Sequence, residues 1–277
     1  YAIKGLAFLD GARFVNTGYA DQLAKEDMFD VDWDVLDSAS IKYCFRHVKD
    51  MDQQHLKYIF NNANGSLGPD SINNEERVLN KSIAQVFCSK GCVTRCTFCH
   101  RFNKGIRVIP PDIVIARIKN LIERFNVGVV FFSDECFGAS SKWLREFCEL
   151  IKPLNVLWRV SGMRVRQVSP DIIKMMKEAG CRSIIYGVEA GSERMLQVME
   201  KRVSLMDNYN AIRWTVEAGL YTVPQLVIGM PGECPETIKE TAEFLSYALT
   251  LDKSQNPKSI SINFAQALPG TPLYEYG

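Results

Sequence analysis

The sequence predicts an α/β protein built on a parallel sheet, and two observations carry this prediction. From about residue 83, six apolar, β-rich runs alternate with segments of helical periodicity. Strands that alternate with helices pair in parallel through right-handed crossovers. Periodicity alone leaves open whether the sheet is doubly wound or forms a barrel. The runs are Ile83–Phe87, Val127–Phe132, Val156–Val160, Ser183–Val188, Tyr221–Ile228 and Ser259–Phe264.

Proline, serine and glycine mark the helix boundaries between these runs. Proline suits the first helical turn, serine caps the exposed amides at a helix start, and glycine ends a helix in a left-handed conformation. Two helical segments follow the fourth run, and a last one precedes the sixth. The boundary signals are Pro110-Pro111-Asp112, Ser140 or Ser141, Pro153, Ser169-Pro170, Gly180, Gly219 and Pro235.

Residues 1–80 lack this alternation, so we predict an N-terminal lead-in there and a second unit over residues 81–277. Asp10-Gly11 lies between short apolar runs and predicts a hairpin, because Asp-Gly tolerates positive φ. The acidic stretch Asp27–Asp37 predicts the entry to a small helical segment. Residues 61–70 are rich in Asn, Gly and Pro, which predicts a linker or surface loop.

The composition excludes several classes of protein. The chain has 277 residues, with 33 basic and 32 acidic side chains and a net charge of +1, so no global charge favours nucleic acid. No stretch has the apolar length of a membrane span. Nine cysteines, an odd number and mostly scattered, predict a reducing compartment and therefore the cytoplasm.

Four of these cysteines are crowded into one segment, Cys88, Cys92, Cys96 and Cys99. Soft thiolate ligands so close together indicate zinc or an iron–sulfur cluster. A four-cysteine zinc site would use Cys88, but such sites usually pair two C-x-x-C units and the chain has only one. Cys96-Thr-Phe-Cys99-His100 also fits the c-type haem pattern, which leaves Cys92 unexplained. The apolar run before Cys88 predicts a core residue there.

The spacing Cys92-x-x-x-Cys96-x-x-Cys99, with the aromatic Phe98 before the last cysteine, resembles the signature of the radical S-adenosylmethionine (SAM) superfamily. The resemblance covers about residues 83–274. It implies that the three cysteines hold three irons of a [4Fe–4S] cluster, that SAM binds the fourth, and that Phe98 lies against the cofactor. It also implies a partial (β/α)6 TIM-like barrel preceded by an N-terminal extension, with the cluster loop after the first strand.

Polar residues at the strand ends extend the resemblance. Asp134 and Glu135 follow the second strand, where the family contacts the SAM ammonium group; a solvated turn is the alternative. Ser161 and Arg164 follow the third strand and match positions for the ribose hydroxyls and the SAM carboxylate. A structural salt bridge of Arg164 or Arg159 is the alternative there.

Glu189 ends the fourth strand in Gly187-Val-Glu-Ala-Gly-Ser192, which resembles a family element that contacts ribose or the SAM amine. The alternative is a carboxylate that only caps the following helix. The turn Gly229-Met-Pro-Gly-Glu233 resembles the family turn near the adenine, and Pro269-Gly-Thr-Pro-Leu273 matches the family without an assignable role.

The resemblance implies cleavage of SAM to a 5′-deoxyadenosyl radical that acts on a small-molecule substrate, which no motif names. Gly5–Val15 and Trp33–Leu36 resemble the segment that follows a cobalamin-binding domain, which implies cobalamin-dependent methylation. The alternative for these residues is an N-terminal extension that only packs on the barrel. The chain has no D-x-H-x-x-G motif, so an upstream domain would hold the corrinoid. The alternatives are a methylthiotransferase-like enzyme, or a zinc or electron-transfer module that cleaves no SAM.

A basic cluster loop completes the sequence predictions. Such a loop would attract an acidic electron donor such as flavodoxin or ferredoxin, or an anionic substrate. No aromatic residues alternate with the basic ones as they do in nucleic-acid-binding surfaces. The loop's basic residues are Arg95, His100, Arg101, Lys104 and Arg107.

Overall fold

The computed structural model describes residues 3–18, 20–51, 77–100, 105–138, 140–251 and 260–276. The strands are β1 (Ala7–Asp10), β2 (Arg13–Asn16), β3 (Ser82–Val86), β4 (Ser89–Gly91), β5 (Ile106–Val108), β6 (Val127–Ser133), β7 (Leu157–Met163), β8 (Cys181–Glu189), β9 (Tyr221–Ile228) and β10 (Ser261–Phe264). The helices are α1 (Ser38–Cys44), α2 (Pro111–Phe125), α3 (Ser141–Ile151), α4 (Pro170–Glu178), α5 (Glu193–Val198), α6 (Leu205–Glu217), α7 (Pro235–Leu251) and α8 (Pro272–Glu275).

The main sheet has six strands in the order β3-β6-β7-β8-β9-β10, and every neighbouring pair is parallel. Each strand of this sheet therefore lies beside the sheet strand that precedes it in the chain, and among the described strands only the two of the small β4–β5 hairpin come between β3 and β6. A doubly wound sheet reverses its strand order and carries helices on both faces, whereas a barrel wall keeps one direction of progression. The strand order thus decides the question that periodicity left open, in favour of a partial barrel.

The helices pack on the sheet through apolar faces. Helix α2 buries Val114, Ile118 and Leu121, and it begins at Pro111 as expected. Ser140 caps α3 by accepting a hydrogen bond from the Trp143 amide at 3.2 Å. An aromatic cluster fills the space between sheet and helices, and its members are Phe132, Phe137, Trp143, Phe147 and Trp158.

Three strands extend further than the apolar runs suggest, and the first of them, β6, continues to Ser133. Strand β7 continues to Met163 and β8 continues to Glu189. Gly162 has a φ of 79° and lies in an irregular register with β8, so the strand passes through polar residues without ending. Ser161 and Glu189 are therefore held by the sheet itself and not by the loops after it.

The lead-in packs on the barrel at two places, with Met28 and Phe45 in the main hydrophobic core and Val48 in a separate cluster with Val129 and Leu157. The predicted hairpin is present as β1 and β2, which pair antiparallel around Asp10-Gly11. Phe45, which follows α1, stacks on Phe125 of α2 with ring centroids 4.1 Å apart. The predicted linker at residues 61–70 lies outside the described residues, and the domain division at residue 80 stays a prediction. Within the described ranges, no helix is both long and apolar enough to cross a membrane.

Candidate active site at the strand ends

The cysteine loop is closed by a short hairpin directly after the first barrel strand. Strands β4 and β5 pair antiparallel, with Gly91 opposite Ile106. The two ends of the cysteine loop are therefore held next to each other. Gly91 has a φ of 88°, and a Cβ atom there would lie 2.2 Å from the Gly105 carbonyl oxygen. Only glycine fits this close backbone approach without displacement. The hairpin presents the thiols at the carboxyl ends of the strands.

The three cysteines of the signature lie together in this loop. Cys96 is buried, whereas Cys92 and Cys99 are half-buried. Burial raises the pKa of the Cys99 thiol, and the nearby Cys96 and Cys92 sulfurs raise it further. The Thr94 hydroxyl lies 3.2 Å from the Cys92 sulfur and accepts a hydrogen bond from the Cys96 thiol at 3.7 Å.

The arrangement fits a cluster with separate ligation points. Within the described residues, no group of three His, Cys, Asp or Glu side chains converges to hold one metal ion. The thiolates of an iron–sulfur cluster can lie further apart than the ligands of a single metal ion, because each iron of the cluster takes one thiolate. Cys88 is fully buried beside Asp134, and burial raises its pKa well above the usual range. Cys88 is thus a core thiol, as the sequence predicts.

Two other segments fix the position of the loop. The Thr97 amide donates to the Met199 carbonyl at 3.0 Å, and the Thr97 hydroxyl donates to the Val198 carbonyl at 3.2 Å. The Leu273 amide donates to the Thr97 carbonyl at 3.0 Å. The segment 269–273, whose role the sequence does not indicate, therefore anchors the cysteine loop. Phe98 is half-buried and packs against the hydrophobic core.

Asp134 and Glu135 are adjacent in sequence but lie in different surroundings. One oxygen of the buried Asp134 carboxylate accepts three hydrogen bonds, from the Cys88 amide at 2.8 Å, the Ser89 amide at 2.6 Å and the Ser89 hydroxyl at 2.8 Å. Its other oxygen is buried without a partner in the described structure. Burial raises the pKa of Asp134 to about 6. Glu135 is exposed, and its charge raises the pKa of Cys99, which places it near the loop.

Arg164 also faces the cysteine loop. Its charge contributes to lowering the pKa of Cys92, and its Nε is buried without a hydrogen-bond partner in the described residues. Among those residues it forms no salt bridge. Arg159 lies over the ring of Phe131, with 3.9 Å between the guanidinium carbon and the ring centroid. Ser161 is half-exposed in β7 and lies beside Ser133 of β6.

Glu189 forms a buried ion pair that the sequence does not reveal. Its carboxylate lies 2.5 Å from the Lys201 ammonium nitrogen, and both side chains are about nine-tenths buried. Burial alone would lower the pKa of Lys201, but Glu189 and the Cys96 sulfur outweigh it and raise the pKa. Glu189 has a φ of 67°, a strained conformation for a residue other than glycine. A Cβ at Gly187 would lie 2.5 Å from the Glu189 carboxylate, so this glycine makes room for the pair.

Cys136 is a second residue that sequence reasoning missed. It is fully buried one position after Glu135. Interaction with the Cys136 thiol is the largest cause that lowers the pKa of Cys92 to about 5, and the same interaction raises the pKa of Cys136. The only sequence signal was a further cysteine at a strand end, outside the three-cysteine spacing.

Residues 86–245, more than half of the chain, match the family model of the radical SAM superfamily. The chain belongs to the radical SAM superfamily. The matched region begins in the first barrel strand and includes all three cysteines of the loop. The predicted partial (β/α)6 barrel is confirmed by this match together with the observed sheet order.

Curated relatives include enzymes of different reaction types. The anaerobic magnesium-protoporphyrin IX monomethyl ester cyclase of Cereibacter sphaeroides is 28% identical over 99% of this chain and 39% of the relative. The hopanoid C-2 methylase of Rhodopseudomonas palustris is 27% identical over 68% of this chain and 36% of the relative. The chain thus spans less than half the length of these relatives.

Solved structures share the fold. The radical SAM methyltransferase TsrM from Kitasatospora setae, solved with cobalamin and a [4Fe–4S] cluster, aligns with a TM-score of 0.60 at 18% identity. That alignment covers 70% of this chain and 36% of TsrM. The cobalamin-dependent radical SAM enzyme OxsB aligns with a TM-score of 0.57 at 19% identity, over 74% of this chain and 36% of OxsB.

Proposed function

We propose that this chain is the catalytic core of a radical SAM enzyme, with the cluster held by Cys92, Cys96 and Cys99. The observation that carries the proposal is the position of the three-thiol loop, which a tight hairpin holds at the carboxyl ends of the barrel strands. When bound, the cluster supplies the electron that cleaves SAM to methionine and a 5′-deoxyadenosyl radical, which abstracts hydrogen from substrate.

The residues around the loop divide the binding of SAM among them. Glu135 takes the SAM ammonium group, because its exposed carboxylate lies near Cys99, whereas Asp134 is occupied by the Cys88 and Ser89 amides. Arg164 takes the SAM carboxylate, since its buried Nε has no partner among the described residues and guanidinium groups match carboxylates. Ser161 and Glu189 are assigned to the ribose side, and Phe98 to the wall of the site.

Cobalamin-dependent methylation of a small molecule is the reaction that we propose for the whole protein. Relatives named as methylases and neighbours solved with cobalamin support it. The corrinoid would be held by residues outside this chain, because the described lead-in packs on the barrel through Met28 and Phe45 and offers no motif for it.

A cyclase-type reaction is the second candidate. It is favoured by one observation, that the match to the anaerobic cyclase runs through 99% of this chain and so includes the lead-in. The putative methylthiotransferase of Methanocaldococcus jannaschii matches over 66% of the chain, so that role has less support.

The cellular setting and the electron donor belong to the proposal as well. All nine cysteines are unpaired, which fits a reducing cytoplasm. Arg95 is exposed on the cysteine loop and would face an acidic donor such as flavodoxin or ferredoxin. Arg107 instead donates to the Leu23 carbonyl, and Arg101 and Lys104 lie outside the described residues.

The proposal is tested by reconstituting the cluster anaerobically and adding SAM and dithionite. We expect release of 5′-deoxyadenosine, and loss of that release when Cys92, Cys96 or Cys99 is replaced singly by alanine. Cys88→Ala is the matched control, because it removes a thiol from the same segment without removing a ligand. Release that survives Cys96→Ala, a colourless zinc protein or a Soret band would contradict the assignment.

A further inference from the structure

The end of strand β8 turns sharply at Glu189. The Ala190 amide donates to the Val188 carbonyl at 2.9 Å, and Glu189 between them has a φ of 67°. A hydrogen bond that spans three residues around a positive φ defines the rarer and more strained form of γ-turn. The register of β8 with β9 shifts between Gly187 and Glu189, so the ladder of the sheet is irregular at this turn. The turn therefore requires support from outside the sheet.

Asn208, near the start of α6, supplies that support. Its side chain has no exposed surface, and its amide nitrogen donates to the Val188 carbonyl at 3.3 Å and to the Ala190 carbonyl at 3.1 Å. Its amide oxygen is buried without a partner among the described residues. Reversing the amide would set this oxygen against two carbonyl oxygens, so the orientation is fixed. Within the described structure, the Asn208 side chain thus bonds only to the two carbonyls that flank Glu189.

Two separate segments determine where the Glu189 side chain lies. Asn208 holds the backbone on both sides of it, and the Lys201 ammonium nitrogen lies 2.5 Å from its carboxylate. A residue with a Cβ atom adopts positive φ at a cost in free energy, so the turn persists only while its surroundings hold it. Without the two bonds from Asn208, the backbone would relax toward an extended conformation and would move the Glu189 carboxylate from its present position.

We propose that Asn208 is a positioning residue, which holds Glu189 in this strained turn so that its carboxylate accepts hydrogen bonds from the ribose hydroxyls of SAM. The inference rests on the proposed function, which assigns Glu189 to the ribose side. Hydrogen bonds to a carboxylate are short and directional, so a small shift of the acceptor weakens them. Asn208 is fully buried and acts on the ligand through the backbone of Glu189.

Three variants separate positioning from packing. Asn208→Ala removes the amide, whereas Asn208→Leu removes its donors but keeps a side chain of similar shape. Asn210→Ala is the matched control, because Asn210 is a half-exposed residue of the same helix that accepts a hydrogen bond from Arg213 at 3.0 Å. Anaerobic isothermal titration calorimetry of the reconstituted full chain measures the Kd for SAM and for 2′,3′-dideoxy-SAM, an analogue without ribose hydroxyls. Iron content is measured for every sample.

We expect Asn208→Ala and Asn208→Leu to raise the Kd for SAM about tenfold, which corresponds to the loss of one hydrogen bond to a charged group. The Kd for the dideoxy analogue should change by less than about twofold, because this analogue has no hydroxyl for Glu189 to bind. Asn210→Ala should leave both constants unchanged. A chain that combines Asn208→Ala with Glu189→Ala should bind SAM within about twofold of Glu189→Ala alone, because Asn208 acts through that carboxylate.

Equal losses of affinity for the two probes would show a general effect of the change at Asn208 and would overturn the inference. So would an unchanged Kd for SAM, or the failure of both Asn208 variants to take up iron, which would assign the residue to the fold. In each of these cases the wild type still binds iron and SAM, and the proposed function stands. A wild-type chain that takes up no iron or binds no SAM overturns the proposed function and this inference with it.

Discussion

Asp134 and Glu135 are adjacent at the end of a strand, and one is buried while the other is exposed. Side chains alternate faces at the end of β6, so one carboxylate points inward to the β4 amides and the other outward toward the loop. The inward residue connects two strand ends that are far apart in the chain. The outward residue has an exposed carboxylate beside the cysteines, and no described residue forms a salt bridge with it, which makes it the better candidate for binding the SAM amine.

Asp134 predicts a particular dependence of stability on pH. Burial raises its pKa from 3.8 to about 6 in the folded chain, so between these values the folded state holds more protons than the unfolded state. The free energy of unfolding should therefore fall as pH rises from about 4 to 6, by about 3 kcal/mol. Urea unfolding across this range should show the fall in the wild type.

Asp134→Asn is the control for that prediction, because its amide oxygen still accepts the three hydrogen bonds but carries no titrating proton. The fall between pH 4 and 6 should be largely absent in this variant. An identical pH dependence in both proteins would assign the effect to another group.

The Glu189–Lys201 pair predicts a large loss of stability when one partner is removed. Lys201→Met leaves a buried carboxylate without a counter-charge, which typically costs about 3–5 kcal/mol in the free energy of unfolding. The double variant Lys201→Met with Glu189→Gln should cost less than the sum of the two single changes. Urea unfolding of the four proteins gives the coupling energy.

An exposed ion pair supplies the comparison for this cycle. Lys152 and Glu178 lie 3.8 Å apart with both side chains more than half exposed. Lys152→Met should therefore change the free energy of unfolding by less than about 1 kcal/mol. If the two lysine variants lose similar stability, the buried pair has no special role.

At the scale of elements, the β4–β5 hairpin determines where the cysteine loop begins and ends. Its strands have three residues each, so the hairpin depends on the close contact of Gly91 with Gly105 and on the anchors at Asp134 and Thr97. The barrel supplies these anchors from β6, from the end of α5 and from the start of α8. These contacts hold the segment with the three thiols in one position at the strand ends.

Gly91→Ala should disrupt that hairpin. The new Cβ would lie 2.2 Å from the Gly105 oxygen, in a backbone conformation that itself costs about 1–3 kcal/mol for other residues. We expect severalfold lower iron content after reconstitution. Gly105→Ala is the matched variant, because Gly105 also has positive φ but an added Cβ meets nothing within 4 Å. Equal iron loss in the two variants would show that strain, and not the close contact, is responsible.

At the scale of the whole molecule, the lead-in and the barrel share one core. Met28 and Phe45 are buried in the same hydrophobic cluster as the barrel residues, and the Val48 amide donates to the Lys81 carbonyl at 2.9 Å. The hairpin of β1 and β2, by contrast, is mostly exposed. The lead-in thus has an outer part that packs little and an inner part that covers the barrel.

Two truncations test this division. A chain that starts at residue 21 loses only the exposed hairpin, so its free energy of unfolding should change by less than about 1 kcal/mol. A chain that starts at residue 81 uncovers the surface under Met28, Phe45 and Val48, which are buried, and should lose at least about 4 kcal/mol. Equal stability of the two chains would make residues 21–80 an independent appendage.

The local sequence pattern was enough to predict the sheet type, several helix boundaries and the family of this protein. The alternation of apolar runs and capped helical segments predicted the parallel sheet, and helix boundaries such as Ser140 and Pro111 were correct because caps depend on near neighbours. The spacing of Cys92, Cys96 and Cys99 indicated the family, since the whole pattern lies within one short loop.

Only the tertiary structure decided what surrounds those cysteines. Cys136 influences the pKa of Cys92 across 44 positions, and Lys201 hydrogen-bonds Glu189 across 12. Both interactions depend on which strands lie side by side and on their register. Strand order itself, which separates a barrel wall from a doubly wound sheet, is a long-range property. Side-chain periodicity reports which face of an element is buried, but it does not specify the residue opposite.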